Sequence, residues 1–129
     1  MSSGSSARAW QAAIAACHGR ALRAEDTDWV RIAALYEALA ALSPSPIVEL
    51  NRAVAVGMAF GAEVGLALLE RIATEPALRD YHLLPSVRGD LLAKLGLAEQ
   101  AAAEFRRAAS LTENASERRL LLRRTVDLR

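Results

Sequence analysis

The 129-residue chain carries 16 basic and 15 acidic residues, a formal net charge of +1, which offers no strong field for nucleic acid or acidic lipid. Hydrophobic residues make up 53% but aromatics only 5%, an Ala- and Leu-rich composition that suits closely packed helices and leaves Val and Ile too scattered for a sheet. A single cysteine, Cys17, excludes an internal disulfide and fits a reducing, cytoplasmic setting, and Arg, Glu or Asp interrupts every apolar run before it reaches membrane-spanning length.

Residues 1–6 lack the apolar region of a signal peptide and read as a tag or disordered leader. Residues 7–129 then form one helical domain, entered already in helical pattern, as a piece of a larger protein would be. The first predicted helix covers residues 7–20, with Trp10, Ile14 and Cys17 on one stripe. After a polar segment, Asp26 or Thr27 can cap a second helix over residues 28–42. Ser43-Pro44-Ser45-Pro46 ends it, and Ser45 followed by Pro46 suits the cap and first turn of a third helix over residues 46–60. Gly61 breaks that helix, and a fourth covers residues 63–74. Glu75-Pro76 opens a short turn reaching Asp80. A fifth helix spans residues 83–95 and closes at Gly96, which supplies a left-handed residue. The sixth covers residues 98–111. Asn114-Ala115-Ser116-Glu117 has the form of a capping box, with Asn114 as cap and Glu117 reaching back, and opens a seventh, Arg-rich helix.

One spacing recurs along these helices. Ile32, Tyr36 and Leu39 stand at i, i+4 and i+7; Gly65, Leu69 and Ile72 repeat the spacing, and so do Ala101, Phe105 and Ala108. A period of roughly 33 to 36 residues signals a helical repeat array. Small residues at the first position let partner helices approach, and the bulky residue one turn later fills the space between them. Short connections force antiparallel neighbours. The expected fold is therefore all-α: a right-handed stack of antiparallel helix pairs, closed by a C-terminal capping helix with Leu120, Leu121 and Leu122 beside Arg118, Arg119, Arg123 and Arg124. Arrays of this kind offer a groove to a partner and rarely do chemistry.

The spacing, with Gly89, Gly96 and Pro44, resembles the tetratricopeptide repeat. A longer resemblance runs from Gln11-Ala12-Ala13-Ile14-Ala15-Ala16 through Glu25-Asp26-Thr27-Asp28-Trp29 and Ile32-Ala33-Ala34-Leu35-Tyr36 to Pro44-Ser45-Pro46. It continues in Leu50-Asn51-Arg52-Ala53-Val54-Ala55-Val56, Tyr81-His82-Leu83-Leu84 and Arg88-Gly89-Asp90-Leu91-Leu92. In this order the blocks resemble the C-terminal, tetratricopeptide-like extension of a group of bacterial extracytoplasmic-function sigma factors. The resemblance implies a non-enzymatic domain that modulates transcription initiation. Its implied partners are the promoter-binding regions of its own chain or core RNA polymerase, with no direct DNA contact and no membrane contact by this segment.

Candidate groove residues are Trp29, Tyr36, Asn51, Arg52, Tyr81, His82, Arg88 and Asp90. Asn51 and Arg52 interrupt an otherwise apolar helix, so each must find a partner or face a groove. The structural alternative ties Asn51 between helices and pairs Arg52 with Glu49 or Asp28. His82, Asp90 and Tyr81 could serve acid–base chemistry, but no nucleophile or pairing motif accompanies them, and no catalytic residue is assigned. His82 reads instead as a hydrogen-bonding residue at a helix start, and His18 as a cation near a helix end. Two distant histidines and one cysteine make no metal site, and no cofactor is implied. Arg106-Arg107 and the arginines of the last helix interleave with Glu99, Glu104, Glu113 and Glu117, and read as solvated faces with i, i+4 pairs. A peptide or small ligand in the groove is the alternative function.

Overall fold

The computed structural model describes residues 27–128. The leader, the first predicted helix with Trp10, Ile14, Cys17 and His18, and the cap proposed at Asp26 lie outside them. The described chain is all-helical: α1 (Trp29–Leu42), α2 (Pro46–Phe60), α3 (Ala62–Glu70), a 3-10 turn (Pro76–Leu78), α4 (Leu83–Lys94), α5 (Ala98–Leu111) and α6 (Ala115–Asp127).

Local chemistry accounts for most of these limits. Asp28, rather than Thr27, caps α1: its carboxylate accepts from the Arg31 N–H at 3.1 Å, satisfying one of the free donors of the first turn. Pro44 drives Ser43 out of helical geometry and ends α1. Ser45 Oγ accepts from Ile47 N at 3.2 Å, and Pro46 occupies the first turn of α2, where its missing N–H costs nothing. Gly61, at φ +112°, turns the chain directly into α3. That helix stops at Glu70, one turn short of the predicted end. The amides of Arg71 and Ile72 bond to Leu68 and Leu69, three residues back, and Pro76 then holds Glu75 extended. Gly96, at φ +80°, closes α4, with Leu97 N donating to Leu92 O at 3.0 Å.

Asn114 caps α6 as expected, accepting from Glu117 N at 2.9 Å. The reciprocal half of the capping box does not form. Thr112 Oγ1 accepts from Asn114 N at 3.2 Å and occupies the position expected of the Glu117 carboxylate. Glu117 is left to accept from Thr112 Oγ1 and to meet His82.

Each helix packs chiefly on its neighbours in the chain, and α2 also touches α4 and the 3-10 turn. The core falls into three successive clusters. Ile32, Ala33, Leu35 and Leu39 of α1 pack with Ala55. Leu50 and Ala53 of α2 meet Leu69, Leu78, Leu84 and Leu91. Leu92 of α4 meets Ala101, Phe105, Ala108 and Ala109 of α5 and Leu121 of α6. Leu66 touches both the second and third clusters.

The recurring spacing marks close approaches. A Cβ on Gly65 would lie 2.7 Å from Gly57 Cα, so α2 and α3 meet backbone to backbone. A Cβ on Gly89 would lie 2.7 Å from the Phe105 ring, which is fully buried between α4 and α5.

Candidate functional site

The eight candidate residues divide among several settings. Trp29 and Tyr36 of α1 are partly buried and pack against the first cluster. Burial pushes the Tyr36 hydroxyl above the ordinary tyrosine pKa, because a phenolate loses more hydration than a phenol. Asn51 is half-buried on α2. Tyr81 packs on the second cluster, and its ring meets the His82 ring edge-on at 5.7 Å.

His82, Arg88 and Asp90 each reach a different helix. His82 Nε2 lies 2.6 Å from Glu117 Oε1, joining the start of α4 to the start of α6. Its side chain makes no cap bond to α4, so it holds two helices together rather than one helix start. Arg88 Nε lies 2.8 Å from Glu70 Oε1 of α3, and Nη1 lies 3.8 Å from Glu104 of α5. The Nε–H does not point along that contact, so the attraction to Glu70 is ionic rather than a hydrogen bond. Asp90 accepts from Arg124 of α6, whose guanidinium also sits 4.2 Å above the Phe105 ring, a cation–π contact.

These partners were not apparent from local patterns. The arginines of α6 had been expected to form i, i+4 pairs, but Arg124 pairs across 34 positions. Arg118 bonds Ala109 O at 3.1 Å and Thr112 O at 2.7 Å, satisfying carbonyls at the end of α5. Arg106, Arg107, Arg119 and Arg123 are exposed. The His82–Glu117 contact spans 35 positions and the Lys94–Met58 contact 36, so three of these contacts fall at the interval of the repeat. That interval was the signal available in the sequence.

Arg52 differs from the rest. It pairs with Glu49 one turn earlier through a single 3.4 Å contact, and its buried Nε makes no hydrogen bond to protein. It lines two depressions. One, of about 250 Å³, is formed by Glu49, Arg52, Leu68, Arg71 and Ile72. The other, of about 230 Å³, includes Val30, Ala33, Val56 and Phe60. A larger depression of about 440 Å³ lies between α5 and α6, bounded by Glu99, Ala102, Arg106 and Leu128. Among the described residues no group of three or more His, Cys, Asp or Glu could hold a metal ion. No described helix is long and apolar enough to cross a membrane.

The chain is 50% identical over 107 residues to the uncharacterized protein R00370 of Rhizobium meliloti (strain 1021). The match covers 83% of this chain and spans 25% of that protein's length. No family model matches the chain, and no solved structure matches it.

Proposed function

We propose that this chain is a non-enzymatic regulatory domain of an extracytoplasmic-function sigma factor, working in the cytoplasm through protein contacts with the promoter-binding regions or with core RNA polymerase. The observation that carries the reading is the ordered series of sequence blocks, from Gln11-Ala12-Ala13 through Leu50-Asn51-Arg52-Ala53 to Arg88-Gly89-Asp90. Helices packed mainly on their chain neighbours, with side-chain contacts recurring one repeat apart, support a tetratricopeptide-like right-handed stack capped by α6. The match to a quarter of a longer bacterial protein leaves space in that protein for other regions.

Run-off transcription with the full sigma factor tests the reading. A factor lacking this domain is expected to give a changed transcript yield from its own promoter. Unchanged yield, together with failure of the domain to capture either the promoter-binding half or core polymerase, would overturn it. A second reading, a sensor with a ligand in the groove, is favoured by the incompletely partnered Arg52. Ligand binding to the native state alone would raise the melting temperature.

A further inference from the structure

The depression between α2 and α3 brings two guanidinium groups to a partly apolar wall. Arg52 and Arg71 line it together, and Glu49 is the one acidic residue on its wall among the described residues. Arg71 is exposed and forms no ion pair among the described residues. Arg52 is tied to Glu49 by one 3.4 Å contact, with both side chains about a quarter exposed, a geometry that contributes little in water. The buried Arg52 Nε lacks any protein acceptor. An under-satisfied guanidinium at a partly enclosed position is a place where an anion adds a charge-assisted bond at small desolvation cost. The other described residues on the wall, Leu68 and Ile72, are apolar.

We infer that this depression binds a small organic anion, with a phosphate or carboxylate oxygen group on Arg52 and Arg71 and its carbon portion against Leu68 and Ile72. Guanidinium forks match both oxygen groups, in one plane for a carboxylate and across two oxygens for a phosphate. Size decides the class. At about 250 Å³ the space lies just below the usual range for drug-sized ligands, which suits a few-carbon acid. Glu49 opposes the incoming charge, so the Arg52–Glu49 contact must loosen as the anion binds. The site is independent of whether the domain belongs to a sigma factor.

The test is a titration of the 129-residue chain, at fixed ionic strength, with acetate, inorganic phosphate and 3-phosphoglycerate, followed by amide and arginine Nε–Hε signals in NMR. Saturable shifts at residues 49–52 and 68–72 are expected, strongest for 3-phosphoglycerate. Acetate and phosphate separate the two head groups: the one that saturates at lower concentration identifies the preferred chemistry. Arg71→Gln, at an exposed position that leaves folding intact, should weaken binding about tenfold. Glu49→Gln, which removes the competing carboxylate, should tighten it. Linear, non-saturating shifts, or equal binding by Arg71→Gln, would overturn the assignment.

Discussion

Gly65 and Gly57 face each other, yet a methyl group meets different obstacles at the two positions. At Gly65 it would lie 2.9 Å from Ala53 O and Gly57 N as well as 2.7 Å from Gly57 Cα, all backbone atoms that cannot rotate away. At Gly57 the sub-3 Å obstacle is Leu91 Cδ2, the end of a side chain with other rotamers. Gly65→Ala is therefore expected to cost about 2 kcal/mol by forcing α2 and α3 apart, and Gly57→Ala clearly less. Urea unfolding of the two variants checks the order. Equal losses would mean that the α2–α3 contact yields as easily as a leucine side chain. The head group of Arg52, by contrast, is held by one weak contact.

Helix α6 is the element least secured by apolar burial. Leu121 is its one buried residue, while Leu120, Leu122 and Val126 are exposed. Polar ties take over: the Asn114 cap, the Arg118 bonds to the carbonyls of α5, the His82–Glu117 pair and the Asp90–Arg124 pair. Asn114→Ala is expected to lower stability by about 1 kcal/mol, and Asn114→Asp to restore most of it, because the cap needs a side-chain oxygen. Chemical denaturation followed by far-UV circular dichroism measures both. If Asn114→Asp fell as far as Asn114→Ala, the cap bond to Glu117 N would not be what holds the helix start.

Across the whole molecule, three clusters in series replace a single central core, and contacts run mainly between chain neighbours. Such an arrangement opens locally and unevenly. Amides of α6 are expected to exchange with solvent faster than those of α4 and α5, whose Leu91, Leu92, Ala101 and Phe105 are 3% exposed or less. Hydrogen exchange under native conditions reads this directly, and uniform protection across α4, α5 and α6 would show that the chain opens as one unit.

Helix positions were legible residue by residue, because caps, prolines and glycines act within a few positions of the chain. Ser45-Pro46, Gly61, Gly96 and Asn114 each end or begin a helix where their local chemistry predicts. The core-facing stripes were legible too: Ile32, Leu39, Gly65, Leu69, Ala101, Phe105 and Ala108 are buried, while Tyr36 and Ile72 are partly buried at the edge of their clusters. Even locally the reading had limits: Asp28 outcompetes Thr27 as the α1 cap, and Thr112 displaces the Glu117 half of the capping box.

The sequence by itself determined the helical class, most helix limits and the faces turned inward, because these depend on periodicity and near-neighbour bonds. The pairing of Arg52 with Glu49, one turn apart, was legible as well, whereas tertiary structure alone decided the long-range partners of the charged residues. Arg88 meets Glu70 and Glu104, His82 meets Glu117, and Asp90 meets Arg124 because packing brings distant helices side by side. Arg71, unmarked by any local pattern, reaches the wall beside Arg52 in the same way, when α3 folds back on α2.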